Sequence, residues 1–237
     1  MKQLLTICLL AVLTLAACSD DGNDVNLTPT ATGTVTDSEG NEYGWVRIGN
    51  LDWTTSNARN GSPVWNEEYY NESMGYDSDV IFDADTLEYF NAYGNLLSYE
   101  EAIVSAPEGW RLPTDDDWKS LERALGMSAG DADAIGWRGD IAPALRAESN
   151  PGIHLQLGGA MLFSVEGYGF GLMLKYNDEA AYYWTSTIDE ESTTGDTMVF
   201  YRKLAAGQDG VERRHGPFIC VIWPSAGCAT RSKSFFQ

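Results

Sequence analysis

The sequence predicts a single α+β domain of antiparallel strands and two main helices, and three observations carry that reading. Alternating β-type segments occupy the stretch from Val35 to Trp53 and again everything after Ala160, while helical spacing is confined to the middle of the chain. Two helix starts in that middle can be read from their caps. The chain has 237 residues, of which 43% are hydrophobic and 12% aromatic, enough for one packed core and too short for a multidomain assembly.

In chain order, Val35-Thr36-Asp37-Ser38-Glu39-Gly40-Asn41-Glu42-Tyr43 reads as strand, Gly-Asn turn and return strand. Trp45-Val46-Arg47-Ile48, a second turn at Gly49-Asn50 and Leu51-Asp52-Trp53 complete a β-meander. Ser98-Tyr99-Glu100-Glu101 has the spacing of a capping box and starts a helix that runs to about Ser105, before Pro107. Pro113 and Thr114 open the second helix, with Asp115, Asp116 and Asp117 in its first turn, where carboxylates complement the dipole. Trp118, Leu121 and Leu125 share one face of it, and Gly126 ends it. Ile141 to Arg146 suggests a further short helix. Strands are expected at Leu172–Leu174, Tyr182–Trp184, Thr197–Tyr201 and Phe218–Trp223. Trp110 is read as a core residue plugging the turn made by Gly109, with Arg111 pairing a neighbouring acid.

The first 17 residues read as a signal peptide: Lys2 is followed by an apolar run from Leu4 to Leu15, shorter than the roughly 20 residues a bilayer span needs. Leu15-Ala16-Ala17-Cys18 resembles the bacterial lipobox, which makes Cys18 the lipidated first residue and the membrane a partner through that anchor. Ser19-Asp20-Asp21 resembles the acidic surface-export signal of Bacteroidota lipoproteins, so the expected location is the outer membrane, facing outward. Residues 18–34 lack aromatics and read as a tether, 35–224 as the domain and 225–237 as a tail. The formal charge is -20, and losing residues 1–17 removes Lys2 but no acid. Such a field repels phosphate backbones, so nucleic acid is not an expected partner.

Asp37-x-x-Gly40-Asn41-x-Tyr43, Val46-x-Ile48-Gly49-Asn50-x-x-Trp53 and Asn57 open an ordered series of landmarks. Pro107-Glu108-Gly109-Trp110-Arg111-Leu112-Pro113-Thr114-Asp115 with Trp118 follows, then Gly158-Gly159, Tyr183-Trp184-Thr185-Ser186-Thr187, Tyr201-Arg202 and the Cys220-Val221 strand. The series resembles the Fibrobacter succinogenes major paralogous domain, or FISUMP, family over about 35–224, with 58–92 as an insertion. The resemblance implies a compact C-type-lectin-like domain on a secreted or surface protein, with no activity established for the family. The family usually has Cys where Ala106 stands, pairing with the cysteine that matches Cys220; this chain lacks that bridge.

Once Cys8 leaves with the signal and Cys18 is acylated, Cys220 and Cys228 remain. Either they form a disulfide across a small C-terminal loop, or Cys220 is buried and inert while Cys228 is exposed. His154 and His215 show no zinc spacing. Asp77-x-Asp79 and Asp83-x-Asp85 lack the glycine and distal glutamate of a calcium loop and read as a solvated acidic segment, so no metal or other cofactor is expected. Gly167-Tyr168-Gly169-Phe170-Gly171 lacks dinucleotide-fingerprint spacing and reads as tight turns with core aromatics. The segment leading into the Tyr183-Trp184 strand carries the candidate ligand residues Tyr168, Tyr176, Asn177 and Asp178, because aromatic faces with an amide and a carboxylate suit a glycan. The expected function is therefore non-catalytic recognition of a glycan or surface protein. The alternatives are an accessory part of a surface filament or capture complex, and an enzyme modifying a sugar or peptide.

Overall fold

A computed structural model describes residues 29–61, 86–146, 152–166, 169–193, 195, 197–217 and 221–224. The fold is mixed α+β and mostly sheet. Strands β1 (Thr32–Thr36), β2 (Glu42–Ile48) and β3 (Leu51–Thr54) form the expected antiparallel meander. Its first turn is tied by Asp37, whose carboxylate accepts from the Glu39 and Asn41 amides and from the Tyr43 hydroxyl.

Helix α1 (Thr86–Tyr93) and the two-residue strand β4 (Leu96–Leu97) precede α2 (Tyr99–Val104). The capping box expected at α2 is present, Ser98 accepting from the Glu101 amide while Glu101 accepts from the Ser98 amide. Helix α3 (Asp115–Ala124) starts at a second capping box, formed by Thr114 and Asp117, and buries Trp118 and Leu121. Arg111 pairs with Asp117 at 2.5 Å, so the same carboxylate caps the helix and holds the loop before it. Short helix α4 (Ala129–Asp133), strand β5 (Gly136–Arg138) and helix α5 (Ala142–Arg146) complete the helical middle.

The larger sheet uses β6 (Gly158–Glu166), β7 (Gly169–Asn177), β8 (Ala180–Ile188), β9 (Met198–Ala205), β10 (Val211–Pro217) and β11 (Val221–Pro224). Its order is β4-β11-β6-β8-β9-β10-β5, with β7 paired to β6 as a hairpin. Pairing is antiparallel except for the β6–β8 contact at Gly159 and Ala181. The period-2 pleat sends alternate residues to opposite faces. One face, with Ala181, Tyr183, Leu204 and Val211, packs on the meander, α3 and α5 through Val46, Trp53, Trp118 and Leu145. The other, with Trp184 and Val199, is covered near α2 by Leu97, Ala102 and Leu112. Trp110 belongs to neither cluster and is half-buried, which corrects the expectation that it plugs the core.

No helix among the described residues is long and apolar enough to cross a membrane. Cys18, Cys220, Cys228, Tyr168 and the Asp77–Asp85 segment lie outside the described residues.

Candidate functional site

Three of the expected ligand residues, Tyr176, Asn177 and Asp178, sit together and exposed at the β7–β8 turn. Tyr176 and Asp178 both adopt left-handed backbone, with φ of 67° and 62°. That conformation is uncommon for a side chain such as tyrosine and is held here by surrounding bonds. The Glu179 amide donates to the Tyr176 carbonyl at 3.0 Å, and the Asp178 amide donates to the Leu157 carbonyl at 2.8 Å. The Tyr93 hydroxyl of α1 donates to the Asp178 carboxylate, so the turn is fixed to a helix as well as to strands. Burial and that bond push the Tyr93 hydroxyl up to about 12. Gly159 lies directly beneath: at φ 73°, a Cβ there would sit 2.7 Å from the Asn177 nitrogen.

From this turn an aromatic row crosses the sheet. The Tyr176 and Tyr182 centroids are 6.4 Å apart, and Tyr182 lies 6.2 Å from Tyr201. The register sets Tyr182 opposite Lys203, Lys203 opposite Glu212 and Glu212 opposite Trp137, one continuous line over β8, β9, β10 and β5. The Lys203 ammonium is 5.2 Å from the Tyr182 ring centroid and 5.8 Å from that of Trp137, a cation held between two aromatic groups. Glu212 is buried under this row and pairs with Arg214 at 2.6 Å. Burial pushes the Tyr182 and Tyr201 hydroxyls up to about 12, with Glu212 adding to the shift, so both are neutral donors at physiological pH. Tyr176 and Trp137, exposed at 45% and 42%, bound the row at its two ends.

The opposite face of the same strands carries charge rather than aromatic surface. Arg202 and Arg213 are cross-strand neighbours, and Asp115 at the start of α3 separates them. Asp115 accepts from Arg202 Nη1 at 2.7 Å and from Arg213 Nη2 at 2.7 Å, and Lys119 approaches it at 3.2 Å. Glu122, two turns further along the helix, accepts from Arg202 Nε at 2.7 Å and from Arg138 Nη2 at 2.9 Å. Burial alone would raise the Asp115 carboxyl, but the bonds and charges of Arg213 and Arg202 hold it well below the usual carboxylate range. Asp115 therefore does more than complement the dipole in the first turn of α3. It ties α3 to the strands whose other face carries the aromatic row.

The model of the Fibrobacter succinogenes major domain matches residues 46–227. The chain belongs to that family. The matched span includes the Trp110 loop, α3 and the strands that carry the aromatic row. No curated protein matches the chain, and no solved structure does.

Sequence reasoning named as ligand residues Tyr176, Asn177 and Asp178, which the structure places together at the β7–β8 turn, and did not name Trp137, Tyr182, Lys203, Tyr201 or Glu212 among them. Their signal was present in part, since Tyr182 and Trp184 alternate on β8 as Tyr201 and Lys203 do on β9. Strand β10 gave none, because Val-Glu-Arg-Arg-His-Gly-Pro reads as a polar loop until the partners of its arginines are known. Among the described residues, no group of three or more His, Cys, Asp or Glu side chains is placed to hold a metal ion.

Proposed function

We propose that this protein is a lipid-anchored surface recognition module that binds a glycan without transforming it. The supporting observation is the row from Tyr176 through Tyr182 and Lys203 to Trp137, a set of ring faces with an interposed ammonium donor. Pyranose rings stack their C–H faces on aromatics and take polar contacts at their hydroxyl edges, and protein sites of this kind fix orientation with a few such groups. The Asp178 carboxylate and Asn177 amide supply further partners at the Tyr176 end. A ligand face braced from behind by the Asp115 and Glu122 ion pairs suffers little rearrangement on binding.

The binding reading over the catalytic one draws on His215. It pairs with the Asp189 carboxylate and stacks on Phe200, and no described hydroxyl or thiol bonds to it as a nucleophile would. The lipobox ending in Cys18 and the acidic Ser19-Asp20-Asp21 support anchoring to the outer leaflet of a Bacteroidota outer membrane, and the family resemblance supports a C-type-lectin-like fold. An assembly role has one observation in its favour: β5 ends the strand order and carries exposed Trp137, with exposed Ile135 immediately before it, an edge another chain could extend.

The deciding experiment is a glycan array probed with the full chain in detergent, repeated with Tyr176→Ala and Trp137→Ala. Specific glycan binding that both substitutions weaken supports the reading, and binding indifferent to both overturns the sheet face as the site. Co-purification from surface-labelled cells of a stoichiometric protein partner lost on Ile135→Lys, with no glycan bound, replaces it by the assembly role.

A further inference from the structure

Two indoles that belong to neither hydrophobic core meet each other at the surface. Trp45 on β2 and Trp110 in the loop before α3 have ring centroids 6.4 Å apart and planes inclined by 54°, and both are half-buried. Trp45 is opposite Gly33 in the β1–β2 register and lies across it: a Cβ at Gly33 would be 2.5 Å from Cζ2 and 2.7 Å from Cε2 of the indole. Only a residue without a side chain lets the ring rest on the β1 backbone. The Trp45 Nε1 donates to the Thr34 carbonyl at 3.2 Å, which fixes the ring in its plane. Trp110 is positioned by the turn that Gly109 makes at φ 78° and by its own amide, which donates to the Pro107 carbonyl at 2.9 Å.

The charges bordering the pair are already matched. The Arg47 guanidinium carbon is 5.9 Å from the Trp45 ring centroid, and Arg47 meets Asp52 with two bonds, of 2.5 and 2.9 Å. Those use Nε and Nη2, and Nη1 has no partner among the described residues. Arg111, next to Trp110, meets Asp117 with two bonds, of 2.5 and 3.1 Å. A cationic guest is disfavoured because Arg47 already lies beside the indole. A polyanion is disfavoured because both guanidiniums are neutralised and the chain carries a net charge of -20. What remains suited to two inclined ring faces with a guanidinium donor at the edge is a neutral ligand with C–H faces and hydroxyl rims.

We propose that Trp45 and Trp110 form a stacking site for a neutral pyranose of a polysaccharide chain, with Arg47 Nη1 donating to a sugar hydroxyl. The site is separate from the sheet-face row and does not rest on it. Its two rings come from the meander and from the loop that begins α3, so it needs the folded domain, although neither ring belongs to the core.

The test uses the full chain in detergent and neutral hexasaccharides of β-glucan, α-mannan and xylan, with oligogalacturonate and an apolar peptide as comparison ligands. Binding is read by calorimetry and by indole fluorescence. The expected result is binding of at least one neutral hexasaccharide, weakened at least tenfold by Trp45→Ala and by Trp110→Ala, with Trp45→Phe retaining part of it. Circular dichroism and urea midpoints of each variant separate lost binding from lost folding, and Trp110→Ala, a loop substitution, decides the matter if Trp45→Ala unfolds. Absence of neutral-sugar binding, binding only of the anionic sugar or the peptide, or full affinity in folded tryptophan variants overturns the proposal. Tyr176→Ala and Trp137→Ala are run in parallel, so that the sheet-face reading and this one fail on different variants.

Discussion

Arg202 on β9 and Glu122 on α3 are both completely buried, and their Nε–Oε1 bond of 2.7 Å joins residues 80 positions apart in the chain. Burying two charges is costly unless every polar atom finds a partner. Here Arg202 also reaches Asp115 and lies 5.8 Å from the Trp118 ring centroid, while Glu122 is shared with Arg138. The network fixes the rotation of α3 against the sheet, since Asp115, Trp118 and Glu122 share one helix face and all point at β9.

Removing the shared cation should expose that dependence. Arg202→Met leaves Asp115 and Glu122 buried beside fewer partners, and the expected loss is about 3–5 kcal/mol, the usual result of breaking one side of a buried pair. The urea midpoint measures it. A loss below about 1 kcal/mol would mean that water reaches the network and that the two carboxylates do not depend on Arg202.

Acid should weaken the fold through the same group. Asp115 ionises well below its ordinary value because Arg213 and Arg202 outweigh burial, and Asp117 is lowered likewise by Arg111 and Thr114. A carboxyl depressed in the folded state adds stability that is fully present above its unfolded pKa, about 3.9, and lost as pH falls toward its folded value. Urea midpoints should therefore be steady from neutral pH to about pH 5 and fall steeply below pH 4. Asp115→Asn should lower the midpoint at neutral pH and flatten the acid limb, and an unchanged acid limb would assign the pH dependence to other groups.

Local chemistry explains which parts of this fold were legible. The capping box at Ser98 is a statement about four consecutive residues and appears as read, and the helix start at Pro113-Thr114 appears too, with Asp117 closing a capping box where the sequence was read only for its dipole. The apolar face of α3 repeats within ten residues and was equally plain. Arg202, Arg213 and Arg138 look like surface residues in sequence because what buries them, Asp115 and Glu122, lies far away in the chain. Trp110 misled for the same reason: its glycine turn was visible, but its partner Trp45 is 65 positions away, and nothing local distinguishes a core indole from one stacked at the surface. The site followed this rule too. Tyr176, Asn177 and Asp178 were singled out together because they are consecutive in the chain, while the line from Tyr182 to Trp137 depends on the strand order β8-β9-β10-β5.

The floor of the β7–β8 turn makes a separate forecast. Gly159 has φ 73°, and a methyl group there would press on the backbone at Asn177. Gly159→Ala should cost more than about 2 kcal/mol, combining the left-handed penalty with a backbone clash that no side chain can relieve. It should also disturb the turn that presents Tyr176, seen as faster amide exchange at residues 176–179. Unchanged exchange there would show that the turn is held by Tyr93 and Leu157 alone.

Anchoring is tested at Cys18. If the acyl chains on Cys18 hold the protein to the membrane, Cys18→Ala should move it from the membrane fraction to the soluble one. Protease treatment of intact cells should then degrade the wild-type domain if it faces outward. Retention of the Cys18→Ala protein in the membrane fraction removes the lipid from the account, and full protection of the wild type places the domain on the periplasmic side.

The two tryptophans of the α3 region should respond to different degrees. Trp118 is fully buried between Trp53, at 5.6 Å, and Tyr183, at 6.0 Å, so Trp118→Ala should cost about 3–5 kcal/mol through lost burial and a cavity. Trp110 is only half-buried, and half of the roughly 200 Å² that an aromatic side chain can bury, at roughly 25 cal/mol per Å², predicts about 2–3 kcal/mol for Trp110→Ala, without the cavity that Trp118→Ala adds. The pair of urea melts separates scaffold from surface without any ligand. A Trp110→Ala loss as large as that of Trp118→Ala would mean that the indole works as core after all, and it would take from the Trp45–Trp110 pair the freedom to open toward a sugar. A loss clearly smaller than that of Trp118→Ala, together with tryptophan fluorescence that is quenched by acrylamide in the wild type and less so in Trp110→Ala, would place that ring where a ligand can reach it.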